Sequence, residues 1–202
     1  KQESTVNRVA DLSKDADEEG SKKAFEILKY LLRAGGELTP QVFKGLLGDY
    51  DAVKFCLDNG LNPNFEDNLA SRLAIKRGLF DILKLLIERG AELSNRGLNI
   101  AWAYESNSQE IVDYLVKNNL SEGFERSMSW IGHSPKLNND QRIQILKEMQ
   151  KLIDDNKVKP SESGYRINDG KVSKRNATYQ EVIDMYGNLY NWVVKSNGLK
   201  ES

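Results

Sequence analysis

The sequence predicts a mainly α-helical chain built as a solenoid of helical pairs, and three observations support this. The segment "GDYDAVKFCLDNGLNPN" at 48–64 matches "GLFDILKLLIERGAELSN" at 78–95, a period of 30 residues. Apolar residues inside each copy recur at helical spacing. Glycine closes each helical pattern, as expected at a helix end. Short helices with one apolar face bury that face by stacking on neighbours, which is how a solenoid is stabilised.

A third copy, "NSQEIVDYLVKNNLSEG" at 107–123, starts 29 residues after the second. Asn107 and Asn119 stand where the earlier copies have glycine. Asparagine tolerates the left-handed backbone conformation better than other residues with a side chain, so we expect the same turns there. Asn107 and Glu110 also have the spacing of a capping box, which predicts that the second helix of this copy starts at Asn107.

Each copy is predicted to contain two helices. The first helices are "PQVFKGLLG", "LASRLAIKRG" and "LNIAWAYESN", and the second is clearest in "DILKLLIERG". Cys56 occupies an apolar position of a second helix and is predicted to be a buried thiol. The segment "AFEILKYLLRAGGEL" at 24–38 is typical of the second helix of an earlier copy. Downstream, "SMSWIGHS" and "QRIQILKEMQKLIDDN" are interpreted as a distorted last copy.

These features resemble the ankyrin repeat family over about residues 38–122. Thr39-Pro40 matches the Thr-Pro that opens the first helix of that family, and Gly48 matches the glycine between its two helices. The segments "FCLDNGLNPN" and "LLIERGAELSN" are similar to its closing segment. The resemblance implies a protein-binding scaffold with a concave surface formed by projecting fingers and the first helices.

The chain departs from the ankyrin pattern in two respects. The Thr-Pro motif is replaced by Leu69-Ala70 in the second copy and by Leu98-Asn99 in the third. The segments between one copy and the next are also three or four residues short, so the fingers are expected to be stunted. Binding would then depend on the helical groove and on appended elements. Another type of helical-pair solenoid is the alternative architecture.

A different pattern follows residue 157. Pro160 and Gly164 indicate a linker or turn, and "YRINDGKVSK" predicts a β-hairpin that turns at Asp169-Gly170. Thr178 and Glu181 then predict a capping box at the start of one apolar helix. That helix would either cap the open end of the array or dock on a partner or a second copy of the chain. The predicted segments are N-terminal helices at 1–37, repeats at 38–122, a distorted terminal repeat at 123–157 and a hairpin-helix appendage at 158–202.

Composition argues against several classes of function. The formal net charge of −1 gives no general attraction to nucleic acid or to a membrane surface. The single cysteine and the single histidine, His133, are far apart, so we predict no metal site, no cofactor and no catalysis. No apolar run reaches the length of a membrane span, and the first residues lack the apolar core of a signal peptide. We therefore expect a cytoplasmic location, which for a viral protein means the host cytoplasm.

The ankyrin resemblance points to a set of partner-binding residues on the finger tips and the exposed side of the first helices. Aromatic and arginine side chains are frequent energetic anchors of interfaces. Trp102 is interpreted as a core residue, whereas Trp130 is open between core filler and anchor. The predicted partner-binding residues are Asn68, Lys76, Arg77, Asn95, Arg96, Glu105, Phe124, Arg126, Trp130 and His133.

The locally basic segment at 157–175 supports an alternative, a nucleic-acid-associated regulatory protein. Tyr165 would stack on a base in this alternative. Glu162 and Asp169 interrupt the positive charge, which weakens the case. The residues concerned are Lys159, Tyr165, Arg166, Lys171, Lys174 and Arg175.

The sequence thus favours a protein–protein interaction module that acts as an adaptor or inhibitor by occluding or tethering a partner protein. A rigid groove binds with a small ordering cost, because its backbone is already fixed. The low proline content and the many Lys, Asn and Ile residues are typical of an AT-rich genome. This suggests, as an extension, a viral, phage or bacterial effector against a host or defence protein.

Overall fold

A computed structural model describes residues 18–36, 38–93, 97–167 and 175–201. The described chain is mainly helical with one small two-stranded antiparallel sheet, which confirms the predicted fold class at that level. The chain divides into two compact units, Lys1–Ser94 and Asn95–Ser202. This division falls inside the stretch that was predicted to be one continuous array of repeats.

Unit 1 contains five helices among its described residues. They are α1 (Glu18–Arg33), α2 (Pro40–Leu46), α3 (Tyr50–Asp58), α4 (Phe65–Lys76) and α5 (Phe80–Glu88). Pro40 is the first residue of α2, and the N–H of Phe43 donates to the carbonyl of Thr39, so Thr39-Pro40 opens the helix as predicted. Cys56 is fully buried, which confirms its predicted core position.

Unit 2 contains the remaining described elements. They are α6 (Asn99–Glu105), α7 (Gln109–Lys117), α8 (Phe124–His133), α9 (Asn139–Asp154), β1 (Ser163–Ile167), β2 (Arg175–Thr178), α10 (Tyr179–Tyr186) and α11 (Leu189–Asn197). Tyr165 of β1 lies opposite Ala177 of β2 in the antiparallel register. The predicted turn at Asp169-Gly170 lies outside the described residues. Trp102 is buried, which confirms its predicted core position.

The second helices of the three copies end in the same way. Gly60, Gly90 and Asn119 have positive φ angles of 89°, 84° and 56°. In each case the N–H of the next residue donates to the carbonyl five positions earlier, for example from Leu61 to Cys56 at 3.1 Å. This is the hydrogen bond of a Schellman C-cap. The predicted left-handed conformation of Asn119 is therefore confirmed, and α1 and α9 end in the same manner at Gly35 and Asn156.

The first helices are less uniform than the glycine alignment predicts. Gly78 and Asn107 have positive φ angles of 69° and 55°, which confirms the prediction for Asn107. Gly48, which aligns with them, lies outside the left-handed region. The chain there passes directly into Asp49, whose side chain accepts a hydrogen bond from the N–H of Ala52 and so caps α3.

The entry to α4 contains a left-handed turn. Glu66, Asp67 and Asn68 have φ angles of 47°, 56° and 57°, and right-handed helix starts only at Leu69. Consecutive left-handed residues with side chains are costly, by roughly 1–2 kcal/mol each. Glu66 forms an ion pair with Lys44 at 2.7 Å, so part of the turn is held by a contact to α2.

Two predictions about helix starts and lengths are wrong. Helix α7 begins after Ser108 with no side-chain cap, so Asn107 and Glu110 form no capping box. The C-terminal apolar segment is two helices rather than one, because Gly187 adopts a φ of 84° and ends α10. The predicted capping box of Thr178 and Glu181 is confirmed.

Candidate binding site

A cleft of about 620 Å³ lies within unit 2, between α8, β1 and α11. This volume is in the range of binding sites for small molecules. Its walls combine aromatic rings, three cationic side chains and one carboxylate. The lining residues discussed below are Glu125, Arg126, Ser129, Trp130, His133, Tyr165, Arg166, Tyr186, Trp192, Lys195 and Ser196.

Helix α8 supplies one wall of the cleft, and its close packing on α11 depends on Gly132. A Cβ atom at Gly132 would lie 2.5 Å from Cγ1 of Val193 and 2.7 Å from Nδ2 of Asn197. Real Cβ atoms do not approach other atoms so closely, so the missing side chain allows the two helices to meet. Because Val193 and Asn197 also line the cleft, this contact fixes the position of one wall against α8.

Glu125 is the most unusual residue of the cleft. It lies in the first turn of α8, and only 6% of its surface is exposed. Its Oε2 atom is buried without a hydrogen-bond partner, and no ion pair to it occurs among the described residues. Buried polar groups are nearly always paired, and an unpaired buried carboxylate costs free energy. The helix N-terminus compensates this cost in part through its dipole.

Two buried aromatic residues lie at the base of the cleft, next to Glu125. The rings of Tyr165 and Trp192 meet edge to face with centroids 5.4 Å apart. Burial and, next, the nearby carboxylate of Glu125 raise the pKa of Tyr165 well above its ordinary value. The Tyr165 hydroxyl donates to the carbonyl of Ser161 at 2.8 Å, so it does not donate to Glu125. Trp192 is 5% exposed, and its Nε1–H is buried without an acceptor.

Cationic groups lie at the exposed rim of the cleft. Arg126 and Arg166 are exposed, and their guanidinium groups form no ion pair or hydrogen bond with a described residue. Lys195 lies over the ring of Tyr186, with Nζ 5.7 Å from the ring centroid. The rim therefore attracts negative charge, whereas the base offers an unpaired carboxylate and an unpaired indole N–H.

The outer end of α8 is held by an internal polar cluster. Trp130 Nε1 donates to Oε1 of Glu105 at 2.7 Å, and Ser134 Oγ donates to the same oxygen at 2.5 Å. Lys136 lies 3.4 Å from Oε2 of Glu105. The edge of His133 packs on Trp130 with ring centroids 5.5 Å apart. The indole of Trp130 thus forms a wall of the cleft with a fixed orientation.

The predicted partner-binding residues have different outcomes in the structure. Arg126, Trp130 and His133 line the cleft. Phe124 is 1% exposed, and the Glu105 side chain is 3% exposed and already paired, so neither is free to contact a partner. Asn68, Lys76 and Arg77 belong to unit 1, and Asn95 and Arg96 lie outside the described residues.

The residues of the nucleic-acid alternative do not form a continuous basic surface among the described residues. Tyr165 is buried and cannot stack on a base in this conformation. Arg175 forms an ion pair with Glu181 at 3.0 Å. Lys159 and Arg166 are exposed, and Arg166 belongs to the cleft. Lys171 and Lys174 lie outside the described residues.

The cleft contains groups that are used in catalysis elsewhere, but they are not arranged as a relay. Glu125, Ser129 and His133 follow one another at intervals of four residues on α8. No hydrogen bond links any two of them, whereas a nucleophile and its base need to be within hydrogen-bond reach. Among the described residues, no group of three metal-binding side chains occurs.

Glu125, Tyr186, Trp192 and Lys195 are among the cleft residues that the sequence did not predict to be part of a binding site. Trp192 and Tyr186 lie in the C-terminal segment that the sequence predicts to be one apolar helix. Leu189, Trp192 and Val193 instead pack inside unit 2, so this part of the face proposed for a second copy is covered by the chain itself. Glu125 carries no signal in the sequence, because a charged residue beside an apolar one is the ordinary pattern of a surface helix.

Comparisons with protein-family models, with curated proteins and with solved structures find no match to this chain. Within the described residues, no helix combines the length and apolar character needed to cross a bilayer.

Proposed function

We propose that this chain is a non-catalytic protein-binding module, an adaptor or inhibitor that holds a segment of a partner protein in the cleft of unit 2. The observation that carries the proposal concerns Arg126 and Arg166, which line the cleft together with the half-buried ring of Trp130. Neither guanidinium group is paired with a described residue. Arginine and tryptophan are the residues most enriched among interface hot spots. The cleft would bind its partner by occlusion or tethering.

The helical pairs support an ankyrin-like or related solenoid architecture as part of this proposal. The second helices of successive copies share one type of C-cap, at Gly60, Gly90 and Asn119. Side chains also link successive loops within unit 1: Asn64 bonds to the carbonyl of Gly90 at 2.9 Å and to the N–H of Glu92 at 2.7 Å. Repetition of one cap and of loop-to-loop bonds is what a stacked-repeat scaffold requires.

Site-specific photocrosslinking in the cells that naturally express the chain tests the proposal. A benzophenone amino acid would be placed at Ser196, which is exposed and lines the cleft, and in a second variant at Arg77 of unit 1. Arg77 was predicted to bind a partner from the ankyrin resemblance. We expect one dominant crosslinked protein from position 196 and none from position 77.

The charge-reversal variant Arg126→Glu/Arg166→Glu should abolish the crosslink at position 196. Lys76→Glu/Arg77→Glu makes the same charge change in unit 1 and should leave that crosslink intact. Crosslinking from position 77 alone would move the site to the surface implied by the resemblance. Recovery of RNA or DNA rather than protein would favour the nucleic-acid alternative. The interpretation as an effector against a host or defence protein stays a prediction.

A further inference from the structure

We propose that the bound segment carries an arginine or lysine side chain that enters the cleft and pairs with Glu125, flanked by acidic residues that meet Arg126 and Arg166. This inference rests on the function proposed above and specifies the chemistry of the partner. The cleft carries opposite charges at two depths, positive at the exposed rim and negative at the buried base.

The carboxylate of Glu125 needs a positively charged partner. Only 6% of Glu125 is exposed, and none of the described residues pairs with its carboxylate. An unpaired buried charge is destabilising, and adding a cation with hydrogen-bond donors removes the cost. A guanidinium or ammonium group offers a full charge and several donors, whereas an amide offers a donor and no charge.

The aromatic side chains near the carboxylate suit the stem and head of a basic residue. Trp130 and Tyr186 line the cleft and are half-buried, so part of each side chain is open to the cleft. Cations are attracted to aromatic faces, and the long stems of arginine and lysine pack on apolar surface. The base rings, Tyr165 and Trp192, are packed on each other and leave no open slot for a stacked nucleobase.

The rim requires the opposite charge from the base. Arg126, Arg166 and Lys195 are exposed and would repel a purely basic segment. A segment in which one basic residue stands between acidic residues complements both the positive rim and the negative base of the cleft. Its acidic side chains would form charge-assisted hydrogen bonds with the two arginines, while the central side chain reaches Glu125.

Short peptides of the frame Asp-Glu-X-Glu-Asp, with each of the twenty amino acids at X, test this inference. Binding to the full chain would be measured by fluorescence anisotropy at low salt. We expect arginine or lysine at X to bind at least about tenfold more tightly than leucine or glutamine. Glu125→Gln should remove this preference and leave the weaker dependence on the acidic frame. Arg126→Glu/Arg166→Glu should abolish binding of every peptide.

A thermal melt of the free protein separates a binding role of Glu125 from a structural one. Because its charge is unpaired, Glu125→Gln should raise the melting temperature by a few degrees while it weakens binding. A large fall in melting temperature would show that Glu125 holds the fold and would overturn the inference. The charge-matched variant Lys76→Glu/Arg77→Glu should bind the peptides as the unaltered protein does.

Failure of this inference can be distinguished from failure of the proposed function. Equal binding of all residues at X, or an apolar preference that survives Glu125→Gln, overturns the role of Glu125 while the cleft remains a peptide site. Absence of binding by every peptide also overturns it, and the crosslink at position 196 then reports separately on the cleft. If no peptide binds but a mononucleotide does, the site belongs to a different class of ligand.

Discussion

The indole of Trp130 donates its Nε1–H to Oε1 of Glu105 at 2.7 Å and so joins α8 to the end of α6 inside unit 2. Glu105 also accepts from Ser134 at 2.5 Å and lies 3.4 Å from Nζ of Lys136. Two donors on one oxygen and a cation beside the other satisfy a carboxylate whose side chain is 3% exposed. This pairing contrasts with Glu125, a buried carboxylate of the same unit that has no such partner among the described residues.

We expect Trp130→Phe to destabilise the protein by about 1–3 kcal/mol, because it removes a donor from a buried charged acceptor. Ser134→Ala removes the second donor to the same oxygen. Urea unfolding of both single variants and the double variant should give a coupling of about 0.5–3 kcal/mol, since the two bonds share one acceptor. If the stability losses of the two single variants simply add up in the double variant, the two side chains do not share Glu105 as an acceptor. A binding test that mutates Trp130 must therefore include a stability control.

The contact between α8 and α11 predicts that replacing one helix glycine by alanine lowers the stability, where such a replacement usually raises it. Replacing glycine by alanine inside a helix normally stabilises it, by about 1 kcal/mol. Gly132→Ala should instead destabilise by about 1–3 kcal/mol, because its Cβ would lie 2.5 Å from Val193 Cγ1.

Val193→Ala provides the matched test of the Gly132 contact. The double variant Gly132→Ala/Val193→Ala should lose less stability than the sum of the two single variants, because the new methyl group fills space that the shortened side chain leaves. Thermal or urea unfolding measures both. A stabilised Gly132→Ala variant would show that the two helices are farther apart than described.

The helix ends could be predicted from the sequence because they depend on local backbone chemistry. Gly60, Gly90 and Asn119 occupy positions where only a residue that tolerates positive φ closes the helix. The capping box at Thr178 and Glu181 could be predicted for the same reason, because it depends on residues three positions apart. The prediction failed at Gly48, where Asp49 caps the next helix directly and no left-handed residue is needed.

The cleft could not be predicted because it depends on distances between elements that are far apart in the chain. Glu125 has the sequence context of an ordinary surface residue, yet it is 6% exposed and lines a cleft together with residues of β1 and α11. Trp192 belongs to an apolar segment whose break at Gly187 changes the face it presents. The ankyrin resemblance selected Arg126, Trp130 and His133 but carried no information about the C-terminal segment that completes the site.

Backbone conformation alone predicts different outcomes for the two glycines of the first copy, Gly48 and Gly60. A Cβ at Gly60 or at Gly48 would meet no atom within 4 Å, so neither replacement by alanine causes a clash. Gly60 has a φ of 89°, and Gly60→Ala should therefore destabilise by about 1–2 kcal/mol. Gly48→Ala should be neutral or stabilising by about 0.4–1 kcal/mol, because it reduces the freedom of the unfolded chain.

Chemical denaturation of Gly60→Ala and Gly48→Ala separates the backbone effect from side-chain packing. Asp67→Gly adds a test of the opposite kind, since Asp67 has a φ of 56° and bears a side chain. Glycine there should relieve strain and raise the stability. Equal losses for the two alanine variants would contradict the conformational difference between the two turns.

The buried thiol of Cys56 predicts a loss of stability in alkaline solution. Burial raises the pKa of Cys56 to about 12 from an ordinary value of 9.0. The unfolded chain therefore loses this proton at lower pH than the folded chain. The stabilisation is present below pH 9.0 and is lost progressively as the pH rises toward 12.

Other groups titrate in the same range, so the comparison must be with Cys56→Ala. That variant should be less stable at pH 8 because of its cavity, but its disadvantage should shrink between pH 9 and pH 11. Parallel stability profiles for the two proteins over that range would show that the thiol ionises equally easily in both states.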